Sequence, residues 1–321
     1  MKEFIFFSFF FTTTMYSQIT GCTDPLSKSY DSNATLNDGS CLYEKIKLKP
    51  EYSKKLNDSI RETSGISSFK NLLWTHNDDL DKTIYGLDSL GKIKKKIVLR
   101  STMNQDWEEI SQDSTYLYIG DFGNNYSGNR TDLKILKIEK ESFLTGNPII
   151  ETISFNYSDQ IDFSPKKPNT TNFDCEAFIV TKDSIYLFTK QWKSSKTSIY
   201  ALPNKSGNHK AHLKEKFDTK GLVTGATYLE SKKLIALCGY STKGKPFIYL
   251  LYGFKNHDFL SGNKRKINLR LSFHQIEGIT TEDGLHYYLT NESLIRKPIL
   301  NVPQQIHYFD LSPILNSYLH K

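Results

Sequence analysis

Apolar and polar residues alternate along this chain in short runs rather than at helical spacing. Lys45-Ile46-Lys47-Leu48, Thr152-Ile153-Ser154-Phe155 and Ile267-Asn268-Leu269-Arg270-Leu271 change character at every position, and Lys96-Ile97-Val98-Leu99 and residues 212–217 do so in part. A period of two predicts strands with one face buried and one solvated. Four of these runs close a group of three denser apolar runs, so the elements come in fours. Helical patterns are scarce, and an aromatic content of 13% suits sheet over helix.

The groups share one signature, written five times. Its leading positions are Ser64, Glu108, Glu176, Thr224 and Glu277, which repeat at 44 to 68 residues. Ser64-Gly65-Ile66 is followed by Trp74-Thr75-His76-Asn77-Asp78 and Ile84-Tyr85-Gly86-Leu87. Trp107-Glu108-Glu109-Ile110, Cys175-Glu176-Ala177-Phe178, Thr224-Gly225-Ala226 and Ile276-Glu277-Gly278-Ile279 open the other copies. Four-stranded repeats of this length predict an all-β, five-bladed β-propeller over residues 44–321. The alternating run at 45–48 precedes the first copy, and none follows the last. That N-terminal strand is expected to complete the final blade and close the ring. The long connection at 156–173 is the alternative home of a sixth blade, though it lacks alternation.

Such a ring carries the leading positions to one face around the axis. A second ring, at the end of each second strand, is expected beside them: His76, Asp121, Lys190, Cys238 and Asn291, to within one residue. Glu62, Asp78, Asp106, Asp174 and Glu292 lie nearby. Carboxylates crowded about an axis repel one another and need a cation, shared protons or donors. The oxygen-rich set Glu108, Glu176, Glu277, Asp121 and Asn291 points to Ca²⁺, with a purely structural carboxylate ring as the alternative. His76 is a candidate general base, or a hydrogen-bonded turn residue. Cys175 and Cys238 either pair or remain buried thiols, and Trp74, Trp107 and Trp192 either line a ligand surface or pack between blades. No Gly-x-Ser-x-Gly elbow supports a serine hydrolase.

Lys2 and the apolar stretch Phe4 to Phe11 predict a cleaved export signal over residues 1–18. Ile19-Thr20-Gly21-Cys22 offers a different reading, an outer-membrane lipoprotein anchored through Cys22. No later stretch is long and apolar enough to cross a membrane. The formal net charge is +7, but lysines are dispersed apart from Lys94-Lys95-Lys96 and Lys264-Arg265-Lys266. That pattern excludes a nucleic-acid binder built on a basic patch. A monomer, secreted or held at the cell surface, is expected.

Residues 19–43 form a separate small module. The run from Gly21 to Tyr43 resembles the cysteine-bounded repeat, related to thrombospondin type 3 repeats, of secreted Bacteroidetes proteins. The resemblance implies a disulfide between Cys22 and Cys41, which an exported chain permits. Asp24, Asp31, Asn33 and Asp38 offer Ca²⁺ oxygens or, alternatively, Asx turns.

Arg61-Glu62-Thr63-Ser64-Gly65-Ile66, Trp74 to Asp78, Asp106-Trp107-Glu108-Glu109-Ile110 and Gly120-Asp121-Phe122-Gly123-Asn124-Asn125 resemble the SdiA-regulated (YjiK-like) exported propellers. They are similar, more distantly, to the esterase-like phytase propellers. The resemblance implies a propeller with an axial ligand or metal site and no settled activity. The expected function is binding of an extracellular ligand or partner at the axial face, with a structural Ca²⁺. The alternative is a metal-dependent hydrolase acting on a phosphate ester or lactone.

Overall fold

A computed structural model describes residues 18–320. The expected export segment falls, apart from Gln18, outside the described residues. No helix among them is long and apolar enough to cross a membrane.

The chain opens with β1 (Thr20–Gly21) and β2 (Leu36–Asn37), paired in parallel inside the small module. Cys22 and Cys41 are disulfide-bonded. The module's acids make local turns: Asp24, Asp31 and Asp38 accept the backbone N–H two residues onward. The module also seats on the main body. Asp24 accepts both Tyr43 and Tyr252 hydroxyls at 2.8 and 2.7 Å, and Asn37 donates to Asn263.

After β3 (Lys47–Leu48) and β4 (Tyr52–Lys55) come the antiparallel meanders. Sheet one is β5 (Thr63–Phe69), β6 (Leu72–Asn77), β7 (Thr83–Leu87) and β8 (Ile93–Val98). Sheet two is β9 (Trp107–Gln112), β10 (Tyr116–Asp121), β11 (Lys134–Glu139) and, after α1 (Lys140–Leu144), β12 (Ile150–Tyr157). Sheet three is β13 (Cys175–Val180), β14 (Ser184–Thr189), β15 (Thr197–Pro203) and β16 (Gly207–Phe217). Sheet four is β17 (Leu222–Leu229), β18 (Leu234–Tyr240), β19 (Pro246–Tyr252) and β20 (Asn263–Leu269). Sheet five is β21 (Ile276–Thr281) and β22 (His286–Asn291), then a hairpin of β23 (Leu294–Arg296) and β24 (Leu300–Val302), then β25 (Gln305–Asp310); α2 (Ser312–Leu319) ends the fold. The arrangement is propeller-like. Residues 158–174 carry no strand.

The strand that completes sheet five is not the alternating run at 45–48. Tyr52–Lys55 pairs antiparallel with β25, whereas Lys47–Leu48 adds in parallel to the outer edge of β20. Pro50 lies between the two and has no N–H to continue one ladder, so the chain changes sheets there. A second parallel pairing, β12 with β16, fuses sheets two and three into one eight-stranded ladder.

Burial follows position in the sheet. β13 and β21 are buried at every residue, whereas β20 alternates buried with half-buried. Inner strands are covered on both faces by neighbouring sheets, and outer strands on one. Apolar clusters fill the interfaces in turn. Trp74 and Trp107 lie between sheets one and two, and Phe122 and Phe178 between two and three. Phe188 and Phe247 join three to four, and Ile248 and Leu289 join four to five. Leu73 and Ile306 join five back to one.

Candidate functional site

The leading position is a β-bulge. On the first strands of sheets two, three, four and five, Glu108, Glu176, Thr224 and Glu277 are skipped by the ladder, their neighbours pairing on either side. An extra, unpaired residue re-aims its side chain, and here three carboxylates turn out of the sheets toward one another. In sheet one the irregularity falls between Ser64 and Ser67, and Gly65 takes φ +60°. A Cβ on Gly65 would lie 2.5 Å from the Ile110 nitrogen, so only glycine allows these strands to approach. The two hydroxyl-bearing copies tie the ring together. Ser64 donates to the Glu108 carbonyl and Thr224 to that of Ile276.

Glu108, Glu176 and Glu277 line a funnel of about 170 Å³ with Asp78, Lys190, Tyr240, Gln275 and Glu292. Oxygens of Glu108, Asp174 and Glu176 lie within 4.8 Å of one another, and the same holds for Glu62, Asp78 and Glu292. Lys190 meets Glu176 at 3.0 Å, its Nζ 4.6 Å from the Trp192 ring centre and 5.6 Å from that of Tyr240. Asp174 accepts the Asn124 N–H and the Trp192 indole N–H at 2.8 and 2.7 Å. Gln275 donates to Glu292. Oε1 of Glu176 and Oε2 of Glu277 are buried with no hydrogen-bond partner, although the two residues are only 2% and 6% exposed.

Electrostatics follow from that crowding. Burial, then the Glu176 charge, holds the Glu108 carboxyl well above the ordinary range. Glu176 is likewise raised by burial against the opposing pull of Lys190. Burial lifts Glu277 to about 7 and Asp78 to about 8. Burial works against the Lys190 ammonium, but Glu176, Tyr240, Glu277 and Asp174 outweigh it and raise its pKa. One ammonium among so many acids leaves the funnel short of positive charge.

The second ring differs from its expected register. Asp121 is fully buried away from the funnel, in ion pairs with Arg130 at 2.9 Å and Lys134 at 3.0 Å. Asn291 is also outside it, accepting from His307 and donating to the Glu292 and Pro303 carbonyls. His76 is wholly buried, edge-on to Trp107 with 5.6 Å between ring centres; burial lowers its pKa to about 4, and its Nδ1 lies 3.0 Å from the Asn77 carbonyl. The funnel takes Asp78, Tyr240 and Glu292 in place of His76, Cys238 and Asn291. The reason is ladder register: Asn77, Thr189, Gly239 and Asn291 pair with the residue before each leading position, and the funnel residue is the next one along, Asp78, Lys190, Tyr240 and Glu292. Lys190, just past β14, is where it was expected. In sheet two that place falls to Phe122, which packs between sheets two and three; Gly123 follows it, where a Cβ would sit 2.3 Å from an Asp106 oxygen and from Oε1 of Glu108. Cys175 and Cys238 are free buried thiols. Trp74 and Trp107 pack between sheets, and Trp192 lines the funnel.

Glu109, which the sequence offers only as the neighbour of a leading residue, links two sheets across the ring. Its carboxylate accepts Ile110 N–H at 2.9 Å and Ala226 N–H at 2.6 Å, so one side chain from sheet two staples sheet four across the axis. Burial raises its pKa, opposed by N–H donors from Ala226, Ile110 and Ile66. The signal for it was the absence of glycine: sheets one, four and five carry Gly65, Gly225 and Gly278 at the corresponding place.

No protein-family model matches the chain. No curated protein matches it either. Among solved structures, 403 chains match. One is the computationally designed Ika4 protein, at 12% identity and TM-score 0.30, over 65% of this chain and 99% of that one. Another belongs to a mitotic checkpoint complex, at 10% identity and TM-score 0.38, over 84% and 97%. Scores this low carry no inference about function.

Proposed function

We propose that the chain is a five-bladed propeller of the SdiA-regulated type, secreted or held at the cell surface, and that its acidic funnel is a ligand-binding site holding a divalent cation. The observation that carries this reading is the unpartnered buried oxygen Oε1 of Glu176, within the close-set Glu108–Asp174–Glu176 cluster at the wall of a carboxylate-lined cavity. Desolvating such an atom without a partner costs about 1–3 kcal/mol, more if charged, and a bound cation removes that cost. Five repeated meanders, apolar interfaces that run from sheet one to five and back to one, and completion of sheet five by β4 support the blade count. The Cys22–Cys41 bond supports an oxidising compartment.

The donors are carboxylates, hard ligands suited to Ca²⁺ and poor for softer metals. Glu108, Asp174 and Glu176, whose oxygens lie within 4.8 Å of one another, would hold it. The ion would supply a fixed positive charge to which a ligand oxygen binds. A hydrolase reading draws support from Glu277, whose pKa of about 7 suits a general base; His76, buried outside the funnel, does not serve.

Chelator-treated protein titrated with Ca²⁺ should melt at progressively higher temperature as the native state binds the ion, and Glu176→Gln should abolish the rise. A melting temperature insensitive to millimolar Ca²⁺, with no heat on calorimetric titration, would sink the reading.

A further inference from the structure

The funnel opens sideways into a larger trough. A groove of about 760 Å³ shares Asn169, Trp192, Tyr240 and Gln275 with it, so the two cavities have a common wall. Their linings differ. The funnel is acidic, whereas the groove is lined by Leu222, Phe273, Ile299 and Leu300, together with Lys243 and Arg296. Phe273 is 52% and Ile299 92% exposed, a large apolar offering for a surface loop.

Asp174 meets the shared wall at Trp192, and Glu292 and Glu277 meet it at Gln275 and Tyr240. Gln275, on that wall, donates to Glu292 and also lies 3.4 Å from the Tyr240 hydroxyl. Glu277 is 6% exposed and keeps one oxygen unpartnered. The ring faces there already accept an ammonium, for Lys190 Nζ rests over both Trp192 and Tyr240.

We propose that funnel and groove together bind one organic ligand, a primary ammonium with a single apolar body. Its charged head meets Glu277 and Glu292 beside the Tyr240 ring, and its body lies along Leu222, Phe273 and Leu300. Charge complementarity chooses the head: an anionic group would face the same carboxylates that lack counter-ions. Lys243 and Arg296 choose the tail, because a second positive end would meet like charge in the groove. The inference rests on the axial face being the binding face, but not on the metal, which Glu108, Asp174 and Glu176 would hold at the Trp192 end of the funnel.

The probes are butylamine, hexylamine and octylamine, with octanoate and the terminal eight-carbon diamine as controls. Each is titrated calorimetrically into the full chain at pH 8, with and without Ca²⁺. Octylamine should bind and octanoate should not. Affinity should rise roughly twofold per methylene, about half the full-burial value because the groove is open. Glu292→Gln should weaken octylamine binding about tenfold or more. Phe273→Ser, at an exposed site that leaves folding intact, should flatten the dependence on chain length. Octanoate binding as tightly as octylamine, affinity independent of chain length, or a diamine binding more tightly than the monoamine would each overturn the proposal. Ca²⁺ binding without amine binding would refute this inference alone; amine binding without Ca²⁺ binding would support it and refute the metal.

Discussion

Replacing Lys190 with methionine tests the charge balance of the funnel most directly. The side chain is 4% exposed and supplies the ammonium that meets Glu176 at 3.0 Å. Methionine fills similar volume and keeps the contact with Trp192. Its loss leaves Glu176 with neither oxygen paired, among acids whose oxygens lie within 4.8 Å. Removing one partner of a buried ion pair costs about 3–5 kcal/mol. At roughly 2 °C per kcal/mol for a chain of this size, the melting temperature should fall by about 6–10 °C at pH 8 without metal. The loss should shrink at pH 5, because the raised pKa of Glu176 lets the orphaned carboxyl take a proton instead. Ca²⁺ should recover more stability in the variant than in the parent chain. Circular-dichroism melts at both pH values, with and without Ca²⁺, measure all three effects. A variant that melts within 2 °C of the parent at pH 8 would refute the argument, since Lys190 would then not be the counter-charge.

Three further outcomes follow from the same geometry. Glu277 has its pKa raised by burial from 4.5 to about 7, so the stability it contributes is present below 4.5 and lost as pH rises through 7; Glu277→Gln should therefore gain melting temperature relative to the parent from pH 5 to pH 8 in chelator, and a constant difference would contradict the shift. Glu109→Gln sets an amide N–H₂ against the N–H of Ile110 or Ala226 and should cost about 2–4 kcal/mol in denaturant melts; a neutral result would mean the axis is not stapled there. Replacing Cys22 and Cys41 together with serine opens a loop closed over a sequence separation of 19 and should cost about 3 kcal/mol. Because Asp24 binds Tyr43 and Tyr252, that loss should appear as earlier unfolding of the module and the outer face of sheet four, seen as faster hydrogen exchange there.

Much of the architecture was written locally. Alternation in runs such as 267–271 and the five-fold recurrence of the leading position specify strands, their grouping in fours and the face on which Glu108, Glu176 and Glu277 meet. These follow from short-range rules: period two for half-buried strands, and a hydroxyl or carboxylate residue at the leading position of each first strand. Lys190 and the Cys22–Cys41 bond were also legible, one as a repeat position and the other through the resemblance of its module. What the tertiary structure alone decided was register beyond the first strand. A shift of one or two residues at the end of a second strand exchanges the sheet interface for the axis, which put Asp78, Tyr240 and Glu292 into the funnel in place of His76, Cys238 and Asn291 and left Asp121 outside it. Pro50 split the N-terminal segment between two sheets, a choice set by which edge was free. Glu109 became a link between sheets two and four only because glycines in other sheets bring strands close enough for one carboxylate to reach across the axis. Long-range closeness of that kind has no period in the chain and is fixed only when the ring closes.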